Sequence, residues 1–253
     1  MKLLKLGIGN AKLDNKTLTF DLPAGHSCPY AKDCAEKFDP KTKKLITHPD
    51  SKFRCFAVVS EMICPAAITK RWHNFNLIKK AKTIENISLL LTDSINSRQD
   101  LDKVTKVRIH TSGDFFNQNY FDAWLLVVKS MPDKIFYAYT KSLKFWVNRL
   151  NQIPKNLHLT ASYGGKTDNL IKKHNLKSVE VVYSHEEAEQ KELQIDHDDS
   201  HCYDRKCHKF ALLIHGGQKA DSEAMKAVMK LRQQGEMGYS RGNIGAGRIK
   251  VAV

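Results

Sequence analysis

Six cysteines, and a series of polar residues that each follow an apolar run, are the parts of this 253-residue chain with chemistry to offer. The cysteines are spaced Cys28-x5-Cys34, Cys55-x8-Cys64 and Cys202-x4-Cys207. No C-x2-C is present, which removes the zinc-ribbon and dithiol-oxidoreductase patterns. Cys28 and Cys34 stand among Pro29, Lys32 and Asp33, and Cys202 and Cys207 within the polar stretch from His201 to His208. These four are expected as loop thiols rather than core residues. Cys55 opens a helical stretch, and Cys64, between Ile63 and Pro65, reads as a small buried hydrophobe. Widely spaced loop thiolates suit an iron–sulfur cluster, which draws its cysteines from separate parts of a chain. Zinc held by Cys together with His26, His201 or His208 is the competing metal, and thiols with no metal at all are the third reading.

The second set of residues lies at the ends of five apolar runs. The runs are Val104–His110, Ile135–Thr140, Leu157–Ala161, Val179–Tyr183 and Ala211–Ile214. They lead into His110-Thr111-Ser112-Gly113-Asp114, Thr140-Lys141-Ser142, Ser162-Tyr163-Gly164-Gly165, Ser184-His185 and His215-Gly216-Gly217. In parallel α/β folds the ligand lies at the carboxyl ends of the strands, so these segments are expected to form one polar rim. Asp114 and His110 are candidates for acid–base or orienting roles, and Lys141 for pairing with an anionic group. Ser112, Gly113, Thr140, Ser142, Ser162, His185 and His215 are candidates for contacts to substrate or cofactor. Strands also end in polar turn residues for structural reasons alone, and Asp114 after Gly113 reads equally well as a helix N-cap.

The elements that must position these groups follow from periodicity. Leu18–Leu22 alternates as a strand and ends at Pro23 and Gly25. A loop over 23–52 carries Cys28 and Cys34. Phe53–Lys82 is helical with a break at Pro65, and Ile87–Leu91 fits a helix or a short strand. Between the later apolar runs lie amphipathic segments at Asn119–Met131, Leu143–Leu150, Asn169–His174 and Glu186–Leu193, and Ser222–Gln234 is a last helix. Alternating β and α predicts a mostly parallel sheet with crossover helices: an open doubly wound sheet, or a partial or full (βα) barrel. One domain is expected over 1–253, with a flexible basic tail over 236–253. Trp124 and Trp146 read as core. Trp72 and Phe75 read as core or as base-stacking residues.

Composition narrows the function class. At 42% hydrophobic and 27% charged the chain is globular rather than disordered. No apolar run is long enough to span a membrane, and the N-terminus is too short and interrupted for a signal peptide, so a cytoplasmic location is expected. There, disulfides seldom persist. The net charge is +14, and only nine of the 41 basic residues are arginine. Lysine attracts any polyanion without reading its sequence, so the excess predicts either a solvated surface or nucleic-acid contact. Arg241 and Arg248, in a Gly-rich basic tail, are the best local candidates for such contact.

Several segments carry a resemblance. Leu6-Gly7-Ile8-Gly9-Asn10-Ala11-Lys12-Leu13, the stretch Asp21–Pro29, Phe53-Arg54-Cys55-Phe56-Ala57, Arg71–Phe75, Arg108–Phe115 and Tyr137–Ser142 resemble the phage "gene product 88" family over nearly the whole chain. That resemblance implies phage or mobile-element origin, not a reaction. A more distant likeness is to the radical-SAM superfamily, whose partial or full (βα) barrels carry three cluster cysteines after the first strand. It implies a 4Fe–4S cluster on Cys28, Cys34 and Cys55, and S-adenosylmethionine against Ser112-Gly113-Asp114, which looks similar to the Gly-Gly-Glu element of that superfamily. The usual C-x3-C-x2-C spacing is absent, since 20 residues separate Cys34 from Cys55. Cys202 and Cys207 would then form a second site or complete the first. The expectation is an iron–sulfur enzyme acting on nucleic acid, a nucleotide or another small molecule. The alternative is a non-catalytic nucleic-acid-binding protein with a structural zinc or iron–sulfur site.

Overall fold

In the computed structural model, which describes residues 2–10 and 12–236, the alternating pattern becomes ten strands and nine helices. The strands are β1 (Gly7–Ile8), β2 (Thr17–Asp21), β3 (Lys37–Asp39), β4 (Lys44–Ile46), β5 (Lys106–Ser112), β6 (Ile135–Thr140), β7 (Leu157–Ser162), β8 (Ser178–Val182), β9 (Gln194–Ile195) and β10 (Lys209–Leu213). The helices are α1 (Phe56–Ile63), α2 (Pro65–Ala81), α3 (Ile84–Asn96), α4 (Gln118–Ser130), α5 (Leu143–Val147), α6 (Asn169–Lys173), α7 (His185–Gln190), α8 (Ser200–Tyr203) and α9 (Glu223–Gln233). Arg241 and Arg248 lie outside the described residues.

Local chemistry sets the helix starts. Pro65 occupies the first turn of α2, where its missing N–H is harmless, so it ends one helix and begins the next. Thr83, Asn117, Ser184 and Ser222 cap α3, α4, α7 and α9, each side chain accepting from the backbone N–H three residues on. The undecided segment 87–91 is therefore helical, inside α3.

Eight strands form one sheet in the order β1-β2-β5-β6-β7-β8-β10-β9, all parallel except the β1–β2 pair. From β2 to β10 spatial order follows chain order. The sheet is thus singly wound, not doubly wound, and it stays open, with β1 and β9 as its edges. β3 and β4 form a separate hairpin inside the loop expected over 23–52. Among the described residues no helix is long and apolar enough to cross a membrane.

Strand alternation sorts the residues onto two faces. One face, with Phe20, Ile109, Phe136 and Ala138, packs under Trp124 and the rest of α3 and α4, and Trp146 belongs to the same core. The other bears Arg108, Tyr137, Tyr139, Thr160 and Phe210, and the single turn of α8 lies on β6 and β7. Asp199, at the start of α8, is fully buried and pairs with both Lys12 and Arg108 at 2.5 Å. Tyr139 donates to Asp196 (3.1 Å) and Asp199 (3.2 Å). These ionic contacts fasten α8 and the turn before β2 to the sheet.

Candidate functional site

The loop from Leu22 to Phe56 crosses the carboxyl ends of the parallel strands and is fixed at three places. At the first, the Leu22 N–H donates to the Ser112 carbonyl (2.9 Å) and the Ser112 hydroxyl donates to the Leu22 carbonyl (2.8 Å). Gly113 follows with φ +86°, and a Cβ there would lie 2.5 Å from Ser27 Oγ and 2.7 Å from Leu22 Cβ. Glycine is needed for both the dihedral and the approach. At the second, the N–H groups of Lys32 and Asp33 donate to the Gly164 carbonyl (3.1 and 3.0 Å), and Ala31 bridges to Gly165 at the end of β7. At the third, Arg54 and Gln218 exchange hydrogen bonds (2.7 and 3.1 Å), and the Phe56 ring lies 4.9 Å from that of His215, tying the start of α1 to the end of β10.

These anchors bring together Cys28, Cys34 and Cys55. All three are half-buried free thiols. Cys34 and Cys55 hydrogen-bond each other, and the charge of Cys28 acts on Cys55 and that of Cys34 on Cys28. The hydrogen bond from Cys55 favours the Cys34 thiolate and lowers its pKa, opposed by burial and helped by the Lys141 ammonium. As donor in that pair Cys55 is raised, and burial raises Cys28, with Asp114 adding to the effect.

Asp114 and Lys141 stand beside the thiols. Asp114 is buried, and burial raises its pKa. One carboxylate oxygen accepts from Thr140 Oγ1 (2.6 Å) and the Phe115 N–H (2.7 Å), and the other from the Lys141 N–H (2.8 Å). It is not a helix cap, because Asn117 caps α4. Lys141 turns its ammonium to Ser162 Oγ (2.5 Å) and the Tyr163 carbonyl (2.7 Å). Ser142 Oγ donates to the Phe115 carbonyl (2.6 Å). At the ends of β5, β6 and β7, hydrogen bonds thus join Asp114, Thr140, Lys141, Ser142 and Ser162, while Ser112 is bonded to Leu22 and Gly113 packs on Ser27 and Leu22.

Other candidates lie elsewhere. His110 was expected on the rim, but β5 carries a bulge: two steps along β2, from Thr19 to Asp21, match four along β5, from Arg108 to Ser112. Inside it His110 takes φ +67° and turns toward Phe20, Phe115 and Tyr120, with Nε2 2.8 Å from the Tyr120 hydroxyl. Burial lowers its pKa to about 3, so it is neutral. His185, half-exposed, faces Glu236 at 3.2 Å. His215 lies beside Phe56, and burial lowers its pKa to about 4.

Two expectations about single thiols fail. Cys202 is fully buried, near Thr160 Oγ1 (3.2 Å) and in the apolar layer with Tyr137 and Phe210, with burial pushing it up to about 12. The α8 turn folds it inward, away from the polar loop it was expected to occupy. Cys64 is exposed rather than core, because the junction of α1 and α2 turns it outward. Cys207 is half-buried in the layer of Cys202. The pair 202/207 thus lies apart from the other three. The alternative zinc histidines are engaged too: His26 with the Phe38 carbonyl (3.0 Å), His201 with Asp196 and Gln194, His208 with Asn175. Among the described residues, no three His, Cys, Asp or Glu side chains stand in the arrangement of a ready metal-ion site.

Sequence reasoning missed two buried carboxylates at this end. Asp21 ends β2, accepting from Lys70 (2.7 Å) and from Thr111. Glu61 accepts from the Ala24 N–H and from Arg71, both 2.9 Å, and so holds the start of the cysteine loop. The strand-end rule would have found Asp21. Nothing local marks Glu61.

Fold and site together define a singly wound, mostly parallel α/β protein with a thiol-bearing loop across its carboxyl edge. The chain belongs to the gene product 88 family, whose model matches residues 1–230. Two relatives are the gene 88 proteins of Mycobacterium phage L5 and Mycobacterium phage D29, 34% and 32% identical over 90 residues. The match covers 34% of this chain and 38% of each relative, so it spans well under half of either. No solved structure matches.

Proposed function

We propose that Cys28, Cys34 and Cys55 hold an iron–sulfur cluster, of the 4Fe–4S type, and that the chain is an enzyme of radical-SAM-like design acting on nucleic acid or nucleotides. The observation that carries this reading is the meeting of three free thiols at the carboxyl edge of a singly wound sheet, beside Lys141 and Asp114. Three soft sulfur donors fit iron–sulfur ligation better than they fit a hard cation. The Cys34–Cys55 hydrogen bond would give way to metal–sulfur bonds if the three thiols held a cluster, with release of their protons. A cluster held by Cys28, Cys34 and Cys55 would leave a place for an external ligand, for which S-adenosylmethionine is the candidate, and would supply one-electron chemistry.

The chain's own residues have definite tasks. Lys141 keeps a positive charge beside Cys34 and favours its thiolate, while Ser162 and the Tyr163 carbonyl hold its ammonium in place. Asp114 fixes the backbone of Lys141 and the Thr140 hydroxyl, and thereby the shape of the rim. Anaerobic purification with iron and sulfide analysis tests the reading. Iron and sulfide should be lost on Cys28→Ala, Cys34→Ala or Cys55→Ala and kept on Cys202→Ala. A colourless wild type with stoichiometric zinc would overturn it.

A second reading, a nucleic-acid-binding protein with a structural metal, is favoured by the +14 charge and by the exposed lysines Lys41, Lys43 and Lys44 on the β3–β4 hairpin. Gel shifts with single- and double-stranded DNA and RNA at rising salt test it, and binding absent at low salt rejects it.

A further inference from the structure

A cavity of about 320 Å³ opens between α2, the start of α3 and the loop that follows Asp114. Phe75, Ile78, Ile87 and Phe116 give it apolar walls, His26 and Asn117 are further lining groups, and Lys79 and Lys82 are its cations. No carboxylate lines it. The Phe116 ring stacks on Tyr120 (4.8 Å, 19°) and meets Phe75 edge-on (5.1 Å), so this aromatic wall is fixed by packing. Among the described residues neither Lys79 nor Lys82 forms an ion pair, whereas Lys70, earlier on α2, is paired with Asp21. A larger cavity of about 430 Å³ near Leu4 and Ser94 lacks this character, because its one cation, Arg98, is already bound by Asp100 in two contacts (2.6 and 2.7 Å).

Lys82 is also strained. It ends α2 at φ +62°, ψ −52°, and the Thr83 N–H donates to the Ala81 carbonyl (2.7 Å). That is the rare, strained form of the γ-turn, where a lysine is an unexpected occupant. Glycine takes a positive φ at no steric cost and is the usual residue past a helix end. Strained backbone of this kind clusters at active sites and ligand clamps.

We propose that this cavity binds a nucleoside monophosphate unit, either free or as one residue of a single strand. The base lies against Phe116, and the phosphate is met by Lys82 and by Lys79, whose ammonium lies over the Phe75 ring (5.3 Å). Base–aromatic stacking and lysine–phosphate pairing are the two interactions that the lining offers, and the size suits a small ligand. The site deepens the nucleotide part of the reading above but does not depend on the cysteines, although His26 and Pro29 flank Cys28.

Calorimetric titration of the full chain with AMP, adenosine, inorganic phosphate and a short oligoadenylate tests the proposal. AMP or the oligonucleotide should bind at one site, more tightly than adenosine or phosphate alone. A preference for AMP marks the free nucleotide as the ligand, and a preference for the oligonucleotide marks the strand. Lys79→Ala and Lys82→Gly should each weaken AMP binding about tenfold and leave adenosine unchanged. Phe116→Leu should weaken adenosine as well. Lys82→Gly should also raise the melting temperature by about 2–4 °C, which a variant that failed to fold would not do. No binding of either AMP or oligonucleotide at about 1 mM, or binding untouched by all three substitutions, would overturn the site. Because no iron is involved in this measurement, its failure leaves the cluster reading standing, and a protein without iron leaves this one standing.

Discussion

Asp114→Asn changes one atom and reverses one hydrogen-bond direction at the centre of the rim. In the wild type both carboxylate oxygens accept: one from Thr140 Oγ1 and the Phe115 N–H, the other from the Lys141 N–H at 2.8 Å. Asparagine can keep the first pair with its carbonyl. Its amide then points an N–H at the N–H of Lys141. The lost bond to a charged acceptor is worth about 1.5–3 kcal/mol, and a buried donor left without a partner costs about 1–3 kcal/mol more. Burial that raises the Asp114 pKa shows that its charge is itself unfavourable there, so removing it offsets part of the loss. The net expectation is a loss of about 2–4 kcal/mol, read as a lower urea midpoint and a Tm about 4–16 °C lower. The pH dependence has a definite sign. A carboxyl raised in the folded state contributes stability that is full below its unfolded pKa and lost as pH rises through its folded value. The gap between wild type and Asp114→Asn should therefore narrow as pH rises from the acid side. A variant within about 0.5 kcal/mol of wild type at neutral pH would refute the assignment of Asp114 as the pin between β5 and β6.

Other expectations follow from the same geometry. The buried His110, with its pKa lowered to about 3, should show no imidazole titration by NMR between about pH 5 and 8. Its neutral burial stabilises above the unfolded pKa, so about 2 kcal/mol should be lost by pH 5 in the wild type and retained in His110→Gln. Gly113→Ala places a methyl 2.5 Å from Ser27 Oγ at φ +86° and should lower stability by more than about 2 kcal/mol in denaturant titration. Replacing Lys141 by Met should raise the Cys34 pKa, seen as an alkaline shift in the pH profile of its alkylation. Mass spectrometry of alkylated protein should find exposed Cys64 modified first and Cys202 last.

Much of the parallel sheet was legible in the chain because its strands are apolar runs. β6 coincides with the run Ile135–Thr140, and its end sits on the predicted rim. The exceptions have physical reasons. The lysine-rich β3–β4 hairpin has no apolar alternation to read, and a four-residue helix such as α8 has no period. His110 escaped because a bulge breaks strand parity, which no residue type announces. Cys55 could be grouped with Cys28 and Cys34 only through a resemblance, since the bonds that place it, from Phe53 to Asp33, Arg54 to Glu36 and between Arg54 and Gln218, are all tertiary and the last joins residues 164 apart. Cys202 looked like a loop thiol because only tertiary packing, the burial of Asp199 with Arg108 and Lys12, turns α8 onto the sheet.

The bond between Arg54 and Gln218 also sets a schedule. Cys28 and Cys34 find their places once the segments up to Gly165 have been synthesised, because Gly113 and Gly164 anchor that part of the loop. Cys55 is first held locally, since the Phe53 N–H donates to the Asp33 carbonyl (3.2 Å) and Arg54 Nε donates to Glu36 (3.2 Å), and the bond to Gln218 closes only after β10. On a ribosome the last of the loop's three anchors is therefore added only after β10, whereas the contacts around β2 and β5 form far sooner. A nascent chain stalled before Gln218 should therefore be alkylated at Cys55 faster than the 253-residue chain.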